Sequence, residues 1–136
     1  MSDDLYHKAL VDLARLSRPP ATISGATHQT LRDNPLCGDR VALAARIEQG
    51  RAAALSFDTR GCVLCQAAST LASRKSPGWS AHDADAAVLA VHQWLKGGAL
   101  PWPELEAFAP VQARKSRHDC VTLPFEAVRD LFQSAK

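Results

Sequence analysis

Apolar residues recur along this chain at two different spacings, and each predicts its own element. Near the N-terminus, Leu5, Ala9, Leu13 and Leu16 fall on one face of a helix that Asp3 or Asp4 can cap and that runs to about Arg15. Pro19-Pro20 ends it, because proline lacks the N–H that a helix interior needs. The Thr-rich text from Ile23 to Leu31 reads as an edge strand, and Asn34-Pro35 as a turn. From Val41 the spacing becomes two. Val41, Leu43, Ala45 and Ile47 alternate with Ala42, Ala44, Arg46 and Glu48, as in a half-buried strand. Gln49-Gly50 reverses the chain, Ala53, Leu55, Phe57 and Thr59 alternate on the way back, and Gly61 stops the resulting β-hairpin.

Beyond Gly61 the spacing is helical. Val63, Leu64, Ala67, Ala68, Leu71 and Ala72 make one apolar stripe, broken between Lys75 and Gly78. Ser80 with Asp83 has the spacing of a capping box, with Asp in place of Glu. A longer helix follows to about Lys96 and buries Ala87, Val88, Val91, Trp94 and Leu95, with Gly97-Gly98 closing it. Pro101 and Pro103 mark a linker, a short helix covers Glu104 to Phe108, and a last helix uses Leu123, Val128, Leu131 and Phe132. This order predicts an α+β fold: a small three-stranded antiparallel sheet with helices packed on one face.

Composition narrows the function classes. A chain of 136 residues with 46% hydrophobic residues suits one domain around one core. A net charge of +2 with no long basic run does not suggest nucleic-acid binding. The acidic start Met1-Ser2-Asp3-Asp4 is not followed by the apolar core of a signal peptide, and no stretch is long enough to span a bilayer, so a cytoplasmic protein is expected. In a reducing compartment, four cysteines point to ligands or reactive thiols before disulfides.

Those cysteines lie in three phrases: Asn34-Pro35-Leu36-Cys37-Gly38-Asp39, Gly61-Cys62-Val63-Leu64-Cys65 and Arg117-His118-Asp119-Cys120-Val121-Thr122-Leu123. Gly38 lets the backbone turn tightly enough for Cys37 and Asp39 to reach one point. Cys62 stands where a strand becomes a helix, so unpaired N–H groups favour its thiolate. With Cys120, these residues make three thiolates and a carboxylate, which fill a tetrahedral zinc site or hold iron with sulfide. Spacing alone leaves other readings open. Isolated cysteines are often small buried hydrophobes, and Cys62 and Cys65 have the C-x-x-C spacing of a redox pair. Such a pair normally opens a helix in a parallel β-α-β unit, which the element order lacks.

Taken together, the three phrases resemble the U-type iron–sulfur assembly family, which includes IscU, the N-terminal part of NifU, and SufU. The residues that carry the resemblance are Cys37-Gly38-Asp39, Gly61-Cys62 with Ala67-Ala68-Ser69, and Cys120, over a similarity running from about Thr27 to the end. Within the family the text is closer to SufU. Asp119 rather than histidine precedes Cys120, Ala109-Pro110-Val111-Gln112 stands where IscU has its chaperone-binding phrase, and Arg117 lies three residues before Cys120. Cys120-Val121-Thr122-Leu123 matches the SufU continuation, and the long stretch between Cys62 and Cys120 fits a SufU-type helical insertion at 78–103, after an N-terminal helical segment at 1–18.

The resemblance implies a zinc-dependent sulfurtransferase, with Cys37, Asp39, Cys62 and Cys120 as metal ligands. Cys37 would accept persulfide sulfur from a SufS-type pyridoxal-phosphate cysteine desulfurase, after a histidine of that enzyme takes its place on zinc. Downstream cluster-assembly proteins would receive the sulfur, and neither nucleic acid nor membrane is an expected partner. The alternative is a scaffold that builds a transient [2Fe-2S] cluster on the same cysteines. Arg117, Cys65 and His118 are the candidates for supporting or docking roles. Cys65 departs from the serine usual in relatives; it is open as a spare ligand, a resolving thiol or an inert buried residue.

Overall fold

The computed structural model describes residues 8–17, 23–35 and 38–134. Its centre is an antiparallel sheet of β1 (His28–Asn34), β2 (Asp39–Glu48) and β3 (Arg51–Arg60), in the order β1-β2-β3. β1 is thus the edge strand that the Thr-rich text suggested, set a few residues later. Gln49 and Gly50 close the hairpin in two residues with φ of 53° and 78°. Two positive φ values give the turn the twist of its flanking strands.

Along β2 the pattern holds: Val41, Leu43 and Ala45 are buried and face the helices. On β3 it changes parity. Thr59, Leu55 and Phe57 lie opposite Val41, Ala45 and Leu43, but a register shift at Arg46/Ile47 brings Ala52 opposite Ile47. Ala52 is therefore buried while Ala53, expected on that face, is exposed. A bulge adds one residue to β3, and one residue inverts the faces of everything beyond it.

Three helices cover one face of the sheet: α2 (Val63–Lys75), α3 (Ala81–Leu95) and α4 (His118–Gln133). Against Val41, Leu43 and Ala45 pack Cys65 of α2, Ala84 of α3, and Leu123, Ala127, Val128 and Leu131 of α4. A second layer forms where α1 (Lys8–Arg15) lies on α2, around Leu10, Leu64, Leu71, Trp94, Phe108 and Phe125. The buried side of α1 is Leu10 and Ala14, with Leu13 beside them; Leu16 is exposed, which corrects the expected face. Its predicted cap at Asp3 or Asp4, Leu5, and the Pro19-Pro20 stop lie outside the described residues.

The Ser80 side chain accepts from Asp83 N–H at 3.2 Å, and the Asp83 carboxylate accepts from Ser80 N–H at 3.0 Å, so the capping box forms with Asp. After Lys96, Gly97 takes φ 99° and its N–H returns to the Trp94 carbonyl at 2.9 Å. Between α3 and α4 the chain runs as a 3-10 segment over Pro103–Ala113, longer than the short helix expected at Glu104 to Phe108. Pro110 lies inside it and cannot donate the hydrogen bond that an α-helix requires. Trp79, Trp102 and Phe125 stack in a row with centroids 6.2 and 5.5 Å apart, fastening this stretch to α4.

Candidate metal centre

Three chain reversals bring the site together. Asp39 is the first residue of β2, Cys62 is the residue that caps α2, and Cys120 lies in the first turn of α4. The register that pairs Arg40 with Arg60 carries Asp39 alongside Gly61 and Cys62, and α4 crosses the sheet so that its N-terminal turn ends at the same point. One carboxylate oxygen of Asp39 and the sulfurs of Cys62 and Cys120 all lie within 4.8 Å of one another.

Asp39 is only 1% exposed. A buried carboxylate needs partners, and Cys62 supplies one. The Cys62 N–H donates to Asp39 Oδ1 at 3.0 Å, and the Cys62 thiol donates to Oδ2 at 3.7 Å. Gly61 makes this approach possible. A β-carbon there would sit 2.3 Å from Asp39 Oδ1 and 2.8 Å from its Cγ. The sequence alone assigned Gly61 the end of a strand and a place in the Gly61-Cys62 phrase, but no contact. Its position directly before a candidate ligand was the available signal, but the carboxylate that fills the missing side chain's place comes from Asp39, twenty-two residues earlier.

The Cys62 thiol is drawn down from 9.0 to about 7. Hydrogen bonding with Cys120 is the main cause; partial burial opposes it, the backbone amides of Cys65 and Leu64 add to it, and the charge on Asp39 opposes it. A thiol so tuned is substantially thiolate near neutral pH, the form that binds metals and attacks sulfur. Two thiols and a carboxylate converging from three segments are three of the four donors that tetrahedral zinc takes, so the donor set fits the ion.

Cys37, the fourth expected ligand, lies outside the described residues. Gly38, after it, has φ 74°, and its N–H donates to the Asn34 carbonyl at 2.8 Å. His118 faces elsewhere: its Nε2 lies 3.0 Å from the Val111 carbonyl and 3.2 Å from that of Gln112. Cys65 is fully buried among Val41, Leu43 and Leu123, in the core under the site rather than in the ligand group. Asp119 is exposed, and Arg117 is half-buried at the end of the short 3-10 turn that precedes α4.

A family model described as the NifU-like N-terminal domain matches residues 5–108. The chain belongs to that family. Asp39 and Cys62 fall within the matched residues; Cys120 follows them, and the fold brings it to the same centre. Among solved structures, the chain is similar to the N-terminal part of a nitrogen-fixing NifU-like protein from Brucella abortus, with TM-score 0.88 and 26% identity over 98% of this chain and 95% of that one. It also shares its fold with a protein from Fervidobacterium islandicum described as a candidate iron–sulfur cluster assembly scaffold for the SUF system. There the TM-score is 0.85 and the identity 19%, over 97% and 99% of the two chains. None of the curated proteins compared with it matches the chain. Among the described residues, no helix is long and apolar enough to cross a membrane.

Proposed function

We propose that this NifU-like domain works in iron–sulfur cluster biogenesis as a zinc-dependent sulfur carrier, taking persulfide sulfur from a SufS-type cysteine desulfurase. The observation that carries this reading is the convergence of the Asp39 carboxylate with the Cys62 and Cys120 thiols within 4.8 Å. Cys37, two residues before Asp39, completes the donor set. Zinc, when bound, keeps the thiols deprotonated and ordered while tolerating a change of ligand.

The rest of the work falls to the chain. Asp39 is held on the Cys62 N–H, so its second oxygen is kept facing the thiols. Cys62 and Cys120 are fixed by two different helices and stay in place. Cys37 falls between β1 and β2 in the sequence and is the acceptor. Its thiolate attacks the outer sulfur of the desulfurase's cysteine persulfide. A new S–S bond forms at Cys37, the old S–S bond breaks, and the enzyme's cysteine leaves as thiolate, with no net oxidation. The test is Cys37→Ala, assayed by mass spectrometry after incubation with desulfurase and cysteine. The variant should fold and gain no 32 Da adduct; sulfur transfer at the wild-type rate would end the assignment.

A second reading has support in the shared fold with a candidate cluster scaffold. Here the same thiolates hold a transient [2Fe-2S] cluster. Asp119, where a histidine would add a ligand, is exposed, and His118 faces the carbonyls of the preceding segment, which favours the carrier. Metal analysis separates the two. Tightly held stoichiometric zinc together with stimulation of a desulfurase supports the carrier. A brown, sulfide-containing protein after anaerobic reconstitution supports the scaffold.

A further inference from the structure

Asp39 is held by the N–H of the Gly61–Cys62 peptide, 3.0 Å from its Oδ1. That peptide is a poor place for a fixed donor. It lies between Arg60, the last residue of β3, and Val63, the first of α2, so neither the ladder nor the helix holds it. Gly61 must also be bare to admit the carboxylate, since a β-carbon there would sit 2.3 Å from Oδ1. Glycine is the residue whose backbone turns most freely. The bareness that makes room for Asp39 therefore leaves its donor loose unless another group fixes the peptide.

Gln66 is that group. Its Nε2 donates to the Gly61 carbonyl at 3.1 Å. A peptide unit is planar and trans, so its carbonyl and its N–H point opposite ways in one plane. Gln66 on one side and Asp39 on the other grip the two ends of a single rigid unit, and a rotation that releases one bond bends the other. Gln66 is anchored in turn: its own N–H donates to the Cys62 carbonyl at 3.0 Å, which ties it into the start of α2. Hydrogen bonds in such a chain polarise one another, so a peptide whose carbonyl accepts is the better donor at its N–H. The Gln66 side chain is only half-buried, and the core does not depend on it.

We propose that Gln66 is a positioning residue of the candidate metal centre: acting through the Gly61–Cys62 peptide, it aims the Cys62 N–H at Asp39 and so fixes the direction in which the Asp39 carboxylate faces the thiols. The inference rests on the proposed function for what Asp39 does there; the lock on the peptide stands without it. Gln66 itself touches neither a thiol nor the Asp39 carboxylate. Its loss leaves every candidate ligand in the chain and loosens one of them.

The test is Gln66→Met, which keeps the side chain's length and helix propensity and removes its donor. The first measurement uses metal-free protein and follows hydrogen exchange of the Cys62 amide by NMR. Exchange should be about fivefold faster in the variant, the loss of one hydrogen bond's worth of protection, while Leu43 in the middle of β2 keeps its wild-type rate. Unchanged exchange at Cys62 would overturn the lock, and so would an equal acceleration at Leu43, which is the mark of general loosening. The second measurement is zinc affinity by competition with a chromophoric chelator. It should fall about three- to tenfold, less than the loss expected when a ligand's direct partner is removed. In the Asp39→Ala background Gln66→Met should lower it no further. Unchanged affinity in otherwise wild-type protein, or an equal loss in both backgrounds, would overturn the positioning role. A wild type that takes up no zinc would defeat the sulfur-carrier reading, and exchange at Cys62 would still decide the lock.

Discussion

Gly61→Ala isolates the contact that holds Asp39 in the candidate metal centre. Gly61 is not among the residues with positive φ, so alanine is free to adopt its backbone conformation and the consequence is purely one of space. The new methyl would lie 2.3 Å from Asp39 Oδ1, about 1 Å inside ordinary contact. Asp39 begins a paired strand and Gly61 directly follows the last paired residue of the facing one, so the backbones are held and the carboxylate must swing away. A swing of about 1 Å takes Oδ1 out of reach of the Cys62 N–H, now at 3.0 Å. The loss of that charged hydrogen bond costs about 1.5–3 kcal/mol, at the lower end if water replaces it. Metal bonds tolerate about 0.2 Å, so the oxygen also leaves bonding range. Zinc affinity should fall at least tenfold, on the order of what loss of an orienting partner does elsewhere. The assay is competition with a chromophoric zinc chelator, alongside urea denaturation of the metal-free protein. Asp39→Ala supplies the control: in that background only the β-carbon of residue 39 remains, 3.1 Å from the new methyl, and the carboxylate contacts are gone, so Gly61→Ala should lower affinity far less. A Gly61→Ala protein with wild-type zinc affinity and stability would refute the reasoning, and so would an equal loss in both backgrounds.

Other consequences are as direct. In metal-free protein, absorbance at 240 nm should show a thiolate appearing with a midpoint near 7, and Cys62→Ser should remove that step. Because the folded value lies below the ordinary 9.0, this thiol contributes stability in full above about pH 9 and loses it as pH falls through about 7; the gap between the urea midpoints of wild type and Cys62→Ser should narrow as pH falls and stop changing below about pH 6. Stripping zinc with a chelator should lower Tm by several degrees, since a ligand at a hundred times its Kd stabilises by about 2.7 kcal/mol, and Cys120→Ala should abolish the difference. Ser80→Ala breaks the capping box of α3 and should cost about 1 kcal/mol by urea denaturation without changing zinc affinity. Trp102→Ala removes the middle ring of the aromatic row and, since that ring is only partly buried, should cost about 2–3 kcal/mol by the same measurement.

Local pattern alone was enough to define the strands of the hairpin, its two-residue turn, the cap of α3 and the order of the elements. Period-two and helical spacing, turn residues and capping pairs act between near neighbours, so the text of the chain carries them whole. Asp39 and Cys62 were also legible as candidate donors, because a carboxylate and a thiol beside Gly38 and Gly61 advertise themselves. What local pattern does not carry is parity and distance. The bulge that buries Ala52 in place of Ala53 depends on how two strands pair, and the buried side of α1 depends on α2. His118 and Cys65 stand beside ligands in the sequence, yet one is turned to the carbonyls of Val111 and Gln112 and the other is sunk in the core. Only the tertiary fold decided that Asp39, Cys62 and Cys120 share one point, and that Gly61 is bare so that Asp39 can reach it. Those are contacts between segments far apart in the chain, and packing rather than proximity in sequence makes them.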